Sequence, residues 1–296
     1  METSIYNSSA KLKAILDAHG LHMQKKFGQN FLIDENIRNK LVDILNLDSK
    51  KTVWEIGPGL GSMTSLLLQT GAEVVAFEID RGFIKILYEI FNNYKNFKLV
   101  EGDVLKTWQR EVLIKKPDVF FGNLPYNIAA TLILDTIEKG VIFDDCLVTV
   151  QKEVADRFCA SVGGDYSATS VLVQAFYETT SIQTIGASCF FPQPNVLSKA
   201  IRLTKTEKYT SQIAGREKLF FSLVKGLFAA RRKTLKNNLQ VWLKKNLKEK
   251  SYTIDVPELI DKILSLEMQR RRAETLAVQD FVDISKKVAK SFQDCE

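Results

Sequence analysis

The sequence predicts an α/β protein: a doubly wound, mainly parallel, seven-stranded sheet followed by a small all-helical C-terminal domain. Three observations carry that reading. From Thr52 to Thr204, short apolar runs alternate with amphipathic stretches, a pattern that implies right-handed crossovers and a sheet covered on both faces. Beyond Thr206 the strand-like runs stop, and "KLFFSLVKGLFAARRKTLKNNLQVWLKKNL" carries its apolar residues at helical spacing only. The length of 296 residues exceeds one ordinary core, so about two domains are expected. The boundary falls near residue 206, giving a domain 1–206 and a helical domain 207–296.

The elements follow in order. Residues 1–48 read as helical, interrupted by "KKFGQNFLID". "TVWEIG" (Thr52–Gly57) is the first strand; Ser62–Gln69 is a helix that Gly71 stops. "EVVAFEID" (Glu73–Asp80) is the second strand, with a helix from about Arg81 to Phe91 after it. "FKLVEGD" (Phe97–Asp103) is the third and "DVFFGN" (Asp118–Asn123) the fourth, followed by a helix over Ile128–Glu138. "CLVTVQ" (Cys146–Gln151) is the fifth, with helical pattern at Glu153–Ala160 and Thr169–Tyr177. Strands near Ser181–Ile185 and Lys199–Thr204 complete the sheet.

Composition narrows the function classes. A hydrophobic content of 45% and a charged content of 26% are those of a soluble globular protein. The N-terminus lacks the apolar core of a signal peptide, and no apolar run reaches the roughly 18 residues of a membrane span. Cys146, Cys159, Cys189 and Cys295 include no CxxC pair, which suggests reduced thiols in a cytoplasmic protein. His19 and His22 are the only histidines, and nothing nearby supplies the other ligands of a metal site. The net charge of +6 is uneven: Lys205–Lys250 holds 13 Lys/Arg against 3 Asp/Glu, so the other 250 residues sum to −4. Such a run is either a solvated helical surface or a patch for nucleic-acid phosphates.

In a doubly wound sheet, ligands bind outside the carboxyl ends of the strands, near the switch point. The first four strands end in "EIGPGLGS", "FEID", "EGD" and "GNLPY", each with an acid or an amide. Gly57, Gly59 and Gly61 let the backbone approach a ligand, although Ser62 stands where the dinucleotide fingerprint requires a third-position glycine. Glu78 is placed to accept from ribose hydroxyls, Asp103 from an adenine amine, and Glu55 to meet a charged amino group. Taken singly, Gly59 is a turn and Asp103 a helix cap; at consecutive strand ends they suggest one shared site. Together these residues resemble the S-adenosylmethionine-dependent methyltransferases of the doubly wound, Rossmann-like class. The resemblance implies S-adenosylmethionine as the cofactor, with the glycine loop under its methionine part and Glu78 and Asp103 on its ribose and adenine.

"NLPY" (Asn123–Tyr126) exceeds what a strand-to-helix turn requires. An aromatic amine is a poor nucleophile because its lone pair is delocalised into the ring. Two acceptors aimed at the amine hydrogens would localise that pair and stabilise the developing positive charge. The Asn123 side-chain oxygen and the Leu124 carbonyl are the candidates, and Pro125 restricts Leu124 to an extended geometry. Tyr126 offers a face for a flipped base, worth roughly 1–3 kcal/mol. Neither a metal nor a strong general base is required. Alone, the four residues would be a turn with a capping Asn and a buried Tyr. They also resemble the (Asn/Asp/Ser)-Pro-Pro-Tyr signature of exocyclic-amine methyltransferases, in the form with Leu second that is typical of ribosomal RNA adenine dimethyltransferases.

Further motifs are similar to that family. "KFGQNFLID" (Lys26–Asp34) resembles its N-terminal motif, which implies cofactor contacts from Asn30 and Leu32 alongside Asn123. "FFPQPNVLSKAIRL" fits Phe-x-Pro-x-Pro-x-Val-x-Ser through Phe190, Pro192, Pro194, Val196 and Ser198, so that Phe190 or Phe191 would close on the second face of the base or pack in the core. "LFAARRKTLKNNL" and "RRAETLAVQDF" look like the helical-domain signatures of the KsgA group, which dimethylates two adjacent adenosines near the 3′ end of small-subunit rRNA. The resemblance covers about residues 22–285. Met63 replaces a usual Leu, and "YSATS" (Tyr166–Ser170) stands where Tyr-Gly-x-Leu-Ser is common. It implies a monomer acting on rRNA in an assembling small subunit, with Arg231, Arg232, Lys233 and Lys236 beside the pocket on phosphates. A large-subunit rRNA methylase, a DNA adenine methyltransferase, a nicotinamide oxidoreductase and a pure assembly factor are the rivals; Ser62 and the lack of a hydride-handling residue disfavour the oxidoreductase.

Overall fold

A computed structural model describes residues 3–23, 29–124, 126–249 and 255–293. The chain starts with a 3-10 turn (Thr3–Asn7) and helix α1 (Ser9–Ala18), then strand β1 (Phe31–Leu32) and helix α2 (Glu35–Ile44), whose cap Asp34 accepts from the Ile37 N–H. The alternating block follows: β2 (Thr52–Ile56), α3 (Ser62–Gln69), β3 (Glu73–Glu78), α4 (Arg81–Phe91), β4 (Phe97–Glu101), α5 (Val104–Ile114), β5 (Val119–Asn123), α6 (Tyr126–Glu138) and β6 (Asp145–Gln151). Helices α7 (Lys152–Phe158) and α8 (Ala168–Gln174) precede β7 (Tyr177–Ile185), β8 (Phe190–Phe191) and β9 (Ser198–Lys205). Helices α9 (Thr210–Ile213), α10 (Glu217–Leu227), α11 (Leu235–Glu249), α12 (Val256–Ile263), α13 (Leu266–Arg270) and α14 (Val278–Gln293) end the chain.

The main sheet has seven strands in the order β4-β3-β2-β5-β6-β9-β7. Neighbours from β4 to β6 are parallel, and β9 runs antiparallel to β6. Every residue of β2 is buried, as a strand covered by helices on both faces requires. Trp54 from its middle meets Phe77 and Phe143 edge-on, with ring centroids 5.0 and 5.7 Å apart. The chain leaves β2 for β3 and β4 on one side, then crosses to β5 on the other, so the switch point lies between β2 and β5.

Two compact units emerge. The first comprises Met1–Leu132, Phe143–Ala155 and Thr180–Thr204. The second comprises Lys205–Glu296 together with Ile133–Ile142 and Asp156–Thr179. The second unit is therefore not confined to the C-terminal third: α8, from the middle of the chain, packs on α10 and α14, and Phe176 meets Phe221 at 6.3 Å.

Four features depart from the sequence reading. The helix expected over Thr169–Tyr177 ends at Gln174, and β7 begins at Tyr177, four residues before the strand expected near Ser181–Ile185. Helix α5 fills the stretch between the third and fourth strands, started by the Asp103 side chain. The two-residue strands β1 and β8 pair antiparallel, Phe31 with Phe191 and Leu32 with Phe190, forming a ribbon apart from the main sheet. "YSATS" builds a helix start: the Ser167 and Ser170 side chains cap each other's backbone N–H groups at α8, the reciprocal arrangement that satisfies two orphan donors.

Candidate active site

Parallel register decides where the strand ends fall. Ile56 lies opposite Phe77 and Gly122, Glu78 opposite Glu101, and Asn123 opposite Thr149. Residues at or just after these ends, on four strands, line one cavity: Gly57 and Gly59 after β2, Glu78 at the end of β3, Asp103 after β4, Asn123 at the end of β5 and Leu124 after it. Asn30 and Leu32 line it from the N-terminal motif, with Glu55 below the glycine loop.

The glycine loop is cut to fit. Gly59 has φ +58°, and a Cβ there would stand 2.7 Å from the Phe31 ring. Only glycine meets both conditions. Glu78 secures that loop: its Oε2 accepts from the Gly59 N–H at 3.1 Å, and its Oε1 from the N–H groups of Ile79 and Asp80 at 2.8 Å each. Burial nevertheless pushes the Glu78 carboxyl up to about 7, against the lowering effect of those three donors. Asp103 spends Oδ1 on the Leu105 N–H at 3.0 Å, so it is a helix cap and a cavity-lining acid at once.

Asn123 has a fixed polarity. Its Nδ2 donates to the Asn30 carbonyl at 2.8 Å, which ties the N-terminal motif to the end of β5 and leaves Oδ1 as the amide's acceptor. Leu124 donates its N–H to the Thr149 carbonyl at 3.0 Å. Its side chain folds back over Gly122, where a Cβ would stand 2.8 Å from the Leu124 Cγ and 3.2 Å from the Ile56 carbonyl oxygen. That glycine was not singled out from the sequence; its position immediately before "NLPY" was the available signal. Gln29 was also missed. It lines the cavity and donates to Asp80 at 3.0 Å.

Glu55 supplies a test of cofactor fit. It is 2% exposed, lines the cavity, and its Oε2 has no hydrogen-bond partner. Burial pushes its carboxyl up to about 8. A buried acid with an orphaned oxygen suits a cationic group, and the glycine cradle beside it admits backbone-close ligand atoms. The site therefore fits the ammonium-bearing methionine end of S-adenosylmethionine.

The two phenylalanines divide. Phe190 is 2% exposed and belongs to the core with Leu41, Met63 and Leu67; this corrects its candidacy for base stacking, because successive strand residues face opposite ways. Phe191 is half-buried on the other side. Pro125 and the side chain of Tyr126 lie outside the described residues, as do Lys26–Gly28 and Cys295. Among the described residues no group of His, Cys, Asp and Glu is arranged to hold a metal ion, and no helix is long and apolar enough to cross a membrane.

In the second unit, Arg231, Arg232, Lys233 and Lys236 are exposed at the turn between α10 and α11 and at the start of α11. The turn has a definite shape: the Asn238 side chain donates to the carbonyls of Leu227 and Ala230 at 2.8 and 3.1 Å. Arg231 donates to the Gly164 carbonyl. The Leu235 N–H donates to the Arg271 carbonyl at 2.8 Å, which brings the exposed Arg270 and Arg272 beside the same turn. These arginines were not marked as phosphate ligands in the sequence, since they lie about 20 residues beyond the basic run Lys205–Lys250.

A family model described as "Ribosomal RNA adenine dimethylase" matches residues 20–277. The ribosomal RNA small subunit methyltransferase A of Treponema denticola is 49% identical over 286 residues, covering 95% of this chain and 94% of that protein. The Staphylococcus aureus protein of the same name is 36% identical over 284 residues, covering 93% of each. A dimethyladenosine transferase from Plasmodium falciparum, known as a crystal structure, has 26% identity and a TM-score of 0.74 over 88% of this chain and 97% of that one. The 23S rRNA methyltransferase ErmE shares the fold, with 19% identity and a TM-score of 0.59 over 87% of this chain and 99% of its own.

Proposed function

The chain belongs to the ribosomal RNA adenine dimethylase family, and from that premise we propose that it dimethylates the exocyclic amines of two adjacent adenosines near the 3′ end of small-subunit rRNA, acting as a monomer on an assembling subunit. The small subunit is favoured over the large because the relatives of 36% identity and above carry small-subunit names across 93% or more of this chain. The observation that carries the chemistry is the hydrogen bond from Asn123 Nδ2 to the Asn30 carbonyl. It commits the amide nitrogen and keeps Oδ1 as an acceptor at the end of β5.

Bound S-adenosylmethionine supplies a methyl group on a positively charged sulfur. Glu55 receives its ammonium, Glu78 its ribose hydroxyls and Asp103 its adenine amine, with Gly57, Gly59 and Gly61 beneath and Asn30 and Leu32 alongside. Asn123 Oδ1 and the Leu124 carbonyl would accept from the substrate amine and turn its lone pair towards the methyl; as the new C–N bond forms and the S–CH3 bond breaks, its electron pair leaving with sulfur as a neutral thioether, they would stabilise the charge that the nitrogen acquires. Tyr126 and Phe191 hold the flipped base on its two faces. The methylated nitrogen then loses its proton to water. Arg231, Arg232, Lys233 and Lys236, with Arg270 and Arg272, hold rRNA phosphates and carry no sequence information.

The test incubates purified small subunits and, separately, purified large subunits from cells that lack the gene with the protein and S-adenosylmethionine. Mass spectrometry is expected to find dimethyladenosine at two adjacent positions near the 3′ end only after the protein is added. Methylation of large-subunit RNA instead would overturn the assignment. Asn123→Ala is expected to lower turnover roughly 10²–10³-fold while calorimetry shows S-adenosylhomocysteine binding retained; near-normal turnover would remove Asn123 from the mechanism.

A further inference from the structure

Behind the glycine loop, the first unit buries polar atoms that no hydrogen bond satisfies. They are the Tyr6 hydroxyl from the Thr3–Asn7 turn, Arg38 Nε from α2, Glu55 Oε2 from β2 and Thr64 Oγ1 from α3. Orphaned buried polar atoms are few in native proteins, and these four are neighbours in space. The Arg38 guanidinium stands 5.8 Å from the Tyr6 ring centroid and donates to the Ser62 carbonyl at 3.4 Å and to Asn7. Tyr6 is fully buried and packs with Leu60 of the glycine loop and with Phe31 beside Asn30. Its hydroxyl feels the charge of Glu55, which with burial holds the phenol above its ordinary range, against Arg38. The Thr64 hydroxyl and backbone N–H face the Glu55 carboxyl and favour its charged form against burial, yet neither Thr64 Oγ1 nor Glu55 Oε2 completes a hydrogen bond.

Donors and acceptors are complementary here. An ionised Glu55 only accepts, and a phenol that stays protonated donates. Apolar packing would need a ring under the glycine loop but no hydroxyl. We propose that Tyr6 is a positioning residue for the cofactor: its hydroxyl donates through one water to Glu55 Oε2 and holds that carboxylate where it receives the cofactor's ammonium. Arg38 anchors the turn that carries Tyr6. The N-terminal turn thereby becomes part of cofactor recognition without touching the cofactor. The inference rests on the reading of Glu55 as the ammonium ligand.

Two probes separate the possibilities. S-adenosylhomocysteine carries the ammonium, whereas 5′-methylthioadenosine keeps the nucleoside and the sulfur but lacks the amino-acid end. Tyr6→Phe keeps the ring and removes only the hydroxyl. By calorimetry it is expected to weaken S-adenosylhomocysteine roughly tenfold and to leave 5′-methylthioadenosine within about twofold. Glu55→Gln should show the same selectivity, and Tyr6→Phe should add little on top of it. Tyr6→Leu, which also removes the packing ring, should weaken both ligands. Equal loss of both ligands in Tyr6→Phe, or loss of neither, would overturn the proposal. If Glu55→Gln itself leaves S-adenosylhomocysteine unaffected, the assignment of Glu55 fails instead.

Discussion

Glu55 and Glu78 are acids whose environment works against their charge. With carboxyls pushed up to about 8 and about 7, the folded protein without ligand retains protons that the unfolded chain releases from near pH 4.5. The folded state binds more protons in that window, so its stability falls as pH rises from about 4.5 towards 8. Binding an ammonium requires Glu55 as carboxylate, with Glu78 the acid facing it and Tyr6 and Thr64 the donors nearby. Cofactor binding at pH 7 should therefore release a proton, and affinity should climb by up to about tenfold per pH unit below 8. Calorimetry of S-adenosylhomocysteine in buffers of unlike ionisation enthalpy reads that proton directly; its absence would place the charge elsewhere. Much of the site was legible at this scale, because an acid or amide at a strand end has few structural reasons to recur four times. What was not legible was the second bond each group makes. That Glu78 secures Gly59, or that Phe190 is buried in one cluster while Phe191 lies half-buried against another, depends on register between segments far apart in sequence.

Among the elements, long periodic segments were readable and short ones were not. Strands β2, β5 and β6 stand out because burial on both faces makes them nearly continuous apolar runs, whereas β4 and β7 are largely exposed or half-buried and read as mixed runs. Strands β1 and β8 have two residues each, too few for any period to appear. Helix α5 was overlooked because "VLKTWQREVLI" mixes polar residues into a face on which only Val104, Trp108 and Glu111 are buried. The basic turn between α10 and α11 owes its shape to one side chain. Asn238 is 5% exposed and closes the carbonyls of Leu227 and Ala230, at the end of α10 where intrahelical donors run out. Asn238→Ala should cost about 1–3 kcal/mol in urea unfolding and weaken rRNA binding, with S-adenosylhomocysteine affinity unchanged. Unaltered stability would mean that the turn holds its shape without that amide.

For the molecule as a whole, the division of charge matters most. The basic run and Arg270–Arg272 belong to the second unit, while the acids of the cavity belong to the first, so the proposed phosphate ligands and the proposed cofactor ligands reside in separate bodies. Replacing Arg231, Arg232, Lys233 and Lys236 together by Glu should sharply reduce affinity for small-subunit rRNA and flatten its dependence on salt. The cofactor affinity of that variant should match the parent. A binding isotherm unchanged over a salt titration would remove this turn from the RNA contact. The strand-like runs of the sequence end near residue 206. The membership of 133–142 and 156–179 in the second unit was not legible, since nothing local in those segments records which body they pack against.

The ribbon of Phe31–Leu32 with Phe190–Phe191 has a consequence in time. Its partners stand about 160 residues apart in the chain, and the Ile33 N–H reaches across to Cys189 in the same way. During synthesis, Asn123 and the four central strands leave the ribosome long before Phe191 does. The wall that carries Asn30 cannot be fastened in this way until nearly two-thirds of the protein has been translated. The hydrogen bond from Asn123 to Asn30 can form earlier, but the ribbon that stitches the same wall to Phe190 and Phe191 is among the last contacts that the first unit can make.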